Sequence, residues 1–193
     1  SEDSLNLGGT ESEITILFSD IRGFTSMSEK LSPTHIVKLL NKYFKSMIDV
    51  VFKFNGTLDK IVGDELMVLY GVPLKNEGDT ENAVKTAIQM FKSLDKFNER
   101  IVKDGFKPFK IGIGINKGKA VSGNIGSDQQ MNYTVIGDTI NLGARLCSHA
   151  KSGQILISNS VKGVIGDNYD FKKIPTIEVK GKSKPIEVWS YMH

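Results

Sequence analysis

An apolar run, Ile14-Thr15-Ile16-Leu17-Phe18, ends just before Asp20, and two further runs, 58–62 and 66–70, are joined through Gly63-Asp64. Between them Ser32-Pro33-Thr34 supplies an N-cap with proline at the first helical position, and Ile36, Leu40, Tyr43, Phe44, Met47 and Val51 then fall on one helical face. A long helix to about residue 54, stopped by Asn55-Gly56, therefore separates a strand from a hairpin with Asp64 at its tip. Asp79 or Thr80 caps a second helix, whose Val84, Ala87, Ile88, Phe91 and Leu94 recur at helical spacing towards residue 102. A hairpin is expected next, with strands 109–115 and 120–125 turning through Asn116-Lys117-Gly118-Lys119. The order reads βαββαβ plus one strand, an α+β chain with a ferredoxin-like core. A strand at 133–136, a helix over 138–150 and strands near 154–158, 171–179 and 186–191 add a C-terminal α/β extension of the sheet.

At 193 residues the chain has room for one well-buried core. Residues 1–10 are polar and glycine-ended and read as a linker to a domain over 11–193. No run approaches the ~20 apolar residues needed to cross a bilayer, so any membrane or sensor segment is expected upstream and the domain itself in the cytoplasm. A lone Cys147 excludes an internal disulfide and is assigned to helix packing. A net charge of +3, with short lysine clusters that lack interleaved aromatics, sets nucleic acid aside as a partner.

A carboxylate at the tip of a buried strand is held by the sheet yet faces solvent. Two of them on neighbouring strands, Asp20 and Asp64, suit a pair of hard cations such as Mg²⁺ or Mn²⁺. Either one alone is equally a solvated turn aspartate. After Asp20 the chain bends through Ile21-Arg22-Gly23-Phe24-Thr25, where successive backbone N–H groups can cradle an anion. Further on, Asn141 and Arg145 lie four apart on one helix face, and a planar guanidinium there suits charge developing on phosphorus. A solvated surface pair has the same spacing. Gly112-Ile113-Gly114-Ile115-Asn116-Lys117-Gly118 imitates a dinucleotide fingerprint, but its third glycine falls one residue late and a strand, not a helix, follows. His35, His149 and His193 have no metal or triad spacing.

Four segments together resemble the class III adenylyl and guanylyl cyclase catalytic domains. They are Phe18-Ser19-Asp20-Ile21-Arg22-Gly23-Phe24-Thr25-Ser26, Lys60-Ile61-Val62-Gly63-Asp64-Glu65-Leu66-Met67, Tyr133 to Leu146, and Val179-Lys180-Gly181-Lys182, in the family's order. The resemblance implies a palm-like core, two divalent cations, and a head-to-tail homodimer whose active sites are shared. It matches Asp20 and Asp64, with the Ile21 carbonyl, to the metal ligands, and the loop Gly23, Phe24 and Thr25 to substrate phosphates. Asn141 and Arg145 match the ribose-orienting and transition-state residues, which come from the opposite subunit. Lys60 and Thr134 match the pair that reads the purine, and Lys180 matches the lysine that meets the terminal phosphates.

An ammonium donor and a hydroxyl acceptor suit N1 and N6 of adenine, whereas the GTP-using members carry glutamate and often cysteine, so ATP is the expected substrate. Threonine at 134 is similar to the bicarbonate-responsive subgroup. One departure stands out: Gly126-Ser127-Asp128-Gln129-Gln130 lacks the basic residue many relatives place there, and Arg22 is a candidate substitute. A guanylyl cyclase, a silent partner domain and a diguanylate synthase are the alternatives; the last wants a Gly-Gly-Asp/Glu-Glu-Phe hairpin that Gly63-Asp64-Glu65-Leu66 barely echoes.

Overall fold

Strand β1 (Thr10–Ile21) sits in the middle of the sheet and is buried on both faces, which explains its near-continuous apolar run. Its side chains alternate between two cores. Leu17 and Ile21 point into one, with Tyr43, Met47, Phe91 and Phe97, and Ile14, Ile16 and Phe18 point into the other, with Met67, Leu69 and Val135. In a computed structural model that describes residues 9–193, the elements that follow are α1 (Phe24–Glu29), α2 (Pro33–Lys53), β2 (Thr57–Val62), β3 (Glu65–Tyr70) and α3 (Asp79–Lys103). Then come β4 (Ile111–Ser127), β5 (Gln130–Ile136), α4 (Asp138–His149), β6 (Gln154–Ser158), α5 (Asn159–Ile165), β7 (Lys172–Ile177) and β8 (Ile186–Met192).

One sheet runs β2-β3-β1-β4-β6-β8-β7, with β5 paired to β4. Its first four strands are the ferredoxin-like core, and β6, β8 and β7 extend it as expected. Helices α2 and α3 cover one face, where Tyr43 and Phe97 lie with ring centroids 6.0 Å apart and Phe109 completes the aromatic cluster. Helix α4 covers the other face through Cys147, whose buried thiol is inert: burial pushes its pKa up to about 12. The packing role assigned to Cys147 holds.

The predicted helix starts fare unequally. Ser32 accepts a hydrogen bond from the His35 amide at 3.3 Å, as an N-cap does. At α3 the cap is Gly78 (φ 78°), while Asp79 is already helical and its carboxylate accepts from the Asn76 amide at 2.8 Å. The linker assigned to residues 1–10 lies mostly outside the described residues; Thr10 pairs with Ser122 and belongs to the sheet.

The expected hairpin over 109–125 is not there. β4 is one strand of 17 residues, and every position of β1 from Thr10 to Ile21 has a partner on it. The polar stretch that suggests a turn is explained by docking of α4. Asn116 is buried and donates to the Thr139 carbonyl at 2.9 Å, and a Cβ on Gly118 would fall 2.6 Å from Thr139 Oγ1. Lys117 pairs with Glu13 across the ladder, so it is not a hairpin charge. The reversal comes later, at Asp128-Gln129, and joins β4 to β5. Two short helices, α1 and α5, are also absent from the sequence reading, because neither carries enough residues for a periodic apolar pattern.

Candidate active site

The pairing of β1 with β3 brings Ser19 opposite Leu66, so Asp20 and Ile21 end beside the β2–β3 turn that carries Asp64. The amide of Ile21 donates to Asp64 Oδ2 at 3.1 Å and fixes the second carboxylate against the first strand. Burial and the neighbouring Asp64 raise the pKa of Asp20 to about 7, with Arg22 opposing, and burial with Asp64 also raises Glu65. Two half-buried carboxylates that resist sharing a negative charge form a donor set that a hard dication satisfies, and the residues present fit such an ion. No group of three or more acidic, histidine or cysteine side chains among the described residues is arranged to hold a metal ion by itself, so the phosphates of a substrate would have to complete the coordination.

Beyond Ile21, Gly23 adopts a left-handed conformation (φ 73°) and opens α1 without a side-chain cap. The amides of Gly23, Phe24 and Thr25, a few residues past Asp20, therefore have no acceptor within the helix. What reads in sequence as a loop is the start of a helix.

The second group is on α4. Asn141 and Arg145 project from its exposed side and, with Lys180, line a cleft of about 460 Å³. The turn that carries Lys180 is bent at Gly181 (φ 89°) and held to the first residue of α4 by an ion pair between Lys182 and Asp138. Both residues lie inside the segments that carry the resemblance, which assign neither a role; the further signal in sequence is an acid at a helix start and a lysine two residues past Lys180. No ion pair among the described residues involves Arg145.

Three of the expected site residues thus come together on α4 and the 179–182 turn, and Asp20, Ile21 and Asp64 come together at the tip of β1. The cleft at Arg145 is lined by neither aspartate, and no ion pair among the described residues joins the two groups. Lys60 and Thr134 also stand apart: β3, β1 and β4 lie between their strands. Lys60 is exposed, 3.6 Å from Asp59, and Thr134 is half-buried opposite Gly123. Arg22 does not replace the missing basic residue of the 126–130 turn, because its guanidinium donates to the Cys147 carbonyl on α4. The Gly112 and Gly114 pattern serves packing: a Cβ at Gly114 would lie 2.2 Å from the Cys147 amide nitrogen.

A family model described as the adenylate and guanylate cyclase catalytic domain matches residues 9–192. A protein of Anabaena cylindrica named adenylate cyclase is 36% identical over 185 residues, which cover 91% of this chain and 36% of that protein. Adenylate cyclase 1 of Rhizobium meliloti is 31% identical over 179 residues, 92% of this chain and 27% of that protein. The chain thus spans about a third or less of the length of these curated relatives. Among solved structures, the guanylyl cyclase Cya2 is 40% identical with a TM-score of 0.91, covering 95% of this chain and 93% of that one. The adenylyl cyclase CyaB from P. aeruginosa is 38% identical with a TM-score of 0.92, covering 95% of each.

Proposed function

Because the chain belongs to the adenylate and guanylate cyclase catalytic domain family, which matches it over residues 9–192, we propose that it is an adenylyl cyclase domain. It converts ATP to 3′,5′-cyclic AMP and pyrophosphate at centres shared by two copies of the chain. The observation that carries this reading is the division of the site into two open halves, Asp20 with Asp64 and Asn141 with Arg145 and Lys180, that one chain does not bring together. A head-to-tail partner would place one half opposite the other. Exposed apolar side chains support the pairing: Ile61 and Val62 beside the aspartate turn, and Ile125, Tyr133 and Ile136 on the β4–β5 hairpin, are each 42–60% exposed.

In that arrangement the backbone amides of Gly23, Phe24 and Thr25 and the ammonium of Lys180 bind the β- and γ-phosphates. Asn141 orients the ribose, and Arg145 spreads its fork over the oxygens on which charge gathers as the 3′ oxygen attacks the α-phosphorus in line. Asp20, Asp64 and the Ile21 carbonyl would hold two divalent cations, which when bound would supply acidity at the 3′ hydroxyl and positive charge opposite the phosphates.

Similarity alone does not choose the base, since a guanylyl and an adenylyl cyclase resemble the chain almost equally. Lys60 and Thr134 make the choice. An ammonium offers only donors, which the N1 acceptor of adenine accepts and the N1–H of guanine does not, and the threonine hydroxyl can accept from N6. The domain includes Thr10, which already pairs in the sheet, and works in the cytoplasm as part of a longer regulated protein, a reading supported by curated relatives of which the chain covers 36% and 27%. No helix among the described residues is long and apolar enough to cross a membrane. The test is product identification by mass after incubation with ATP or GTP and Mn²⁺ or Mg²⁺. Cyclic AMP is expected; cyclic GMP as the main product would make this a guanylyl cyclase, and no product would make it a silent partner domain.

A further inference from the structure

Arg22 takes no part in the chemistry just described, yet it is built into the molecule from several sides. Its amide donates to the Lys110 carbonyl at 2.7 Å, and its guanidinium donates to the Cys147 carbonyl in the last turn of α4, with Cys147 Sγ 3.7 Å away. The group lies over Gly112, where a Cβ would come within 2.7 Å of two of its nitrogens. Its Nε is buried and has no hydrogen-bond partner among the described residues, a costly state for a donor on a residue with no positional purpose. The last carbonyls of a helix carry its negative end, so a cation there is favoured by the whole of α4.

Helix α4 has little slack against the sheet. A Cβ on Gly114 would meet α4 backbone, and one on Gly143 would fall 2.9 Å from Ile16 and 3.3 Å from Phe18. Backbone rests on backbone at Gly114, and at Gly143 the helix backbone rests on the buried Ile16 and Phe18 side chains, which leaves little room to absorb a shift. Displacement at the end of β1 therefore passes through Arg22 into α4, whose exposed side carries Asn141 and Arg145.

We infer that Arg22 is a positioning residue that ties the aspartate end of β1 to the last turn of α4, and so links the two half-sites that one protomer lends to two different centres. This rests on the shared-site reading above. Arg22 sets the placement of Arg145, although it touches neither substrate nor Arg145.

The test uses heterodimers of an Asp20→Asn chain and an Arg145→Ala chain, separately tagged and co-purified. Their single intact centre takes its aspartates from the second chain and its arginine from the first. Arg22→Met is then added to the Asp20→Asn chain, whose own aspartate end is already disabled, so that any effect on the intact centre has travelled through α4. The expected result is a fall in kcat on the order of tenfold with KM for ATP changed less than twofold, as for a misplaced transition-state group. Arg22→Lys, which keeps the charge and one donor, should recover part of the rate. An unchanged kcat overturns the inference. So does a fall that merely tracks loss of heterodimer or of thermal stability, which gel filtration and melting of the same preparation report. If the heterodimer is inactive before Arg22 is touched, the shared-site reading itself fails, and it fails visibly at that earlier step.

Discussion

Arg145 is exposed and has no ion pair among the described residues, so its replacement should leave the fold intact and strike only the reaction. Arg145→Ala is expected to lower kcat on the order of 10² to 10³ with little change in ATP affinity, read by steady-state kinetics beside nucleotide binding. Base choice makes a sharper prediction at the same scale. Lys60→Glu with Thr134→Cys reverses the donor and acceptor edges, and the ratio of kcat/KM for GTP over ATP should rise by at least 10², measured with both nucleotides in competition. A ratio that stays put would remove these two residues from purine recognition. The residues proposed to touch substrate are legible in sequence because chemistry restricts them to a few side-chain types within dense motifs. Arg22 is not legible in that way. It stands inside one of those motifs, but its partner is a backbone carbonyl 125 positions away, which no local pattern reveals.

The elements divide along the same line between local and distant causes. Helix α2 and the β2–β3 hairpin are readable because cap, periodicity and turn residues lie within the segments themselves. β4 is misread because Asn116, Lys117 and Gly118 carry turn composition for a tertiary reason: α4 and β1 press on them from outside. This makes the glycines of β4 testable. Gly114→Ala would force α4 off the sheet and is expected to destabilise the domain by about 1–3 kcal/mol or more in urea unfolding. Gly163→Ala in α5, where an added Cβ meets nothing within 4 Å, should be neutral or stabilising by about 0.4–1 kcal/mol. Equal effects at the two sites would contradict the close docking of α4.

At the scale of the whole molecule, one chain is proposed to be half of each of two centres. Specific activity should then fall on dilution as the dimer separates, and Ile125→Ser with Tyr133→Ser on the exposed hairpin should move that fall to higher protein concentration, followed by activity alongside sedimentation. The most direct measurement mixes two variants that are each inactive, Asp20→Asn and Arg145→Ala. If the centre is shared, half of the dimers formed at equal amounts are mixed and each holds one intact centre, so about a quarter of the native activity should return. Mixing that restores nothing, while the two variants still form heterodimers, would place Asp20 and Arg145 in the same chain's centre and contradict the account.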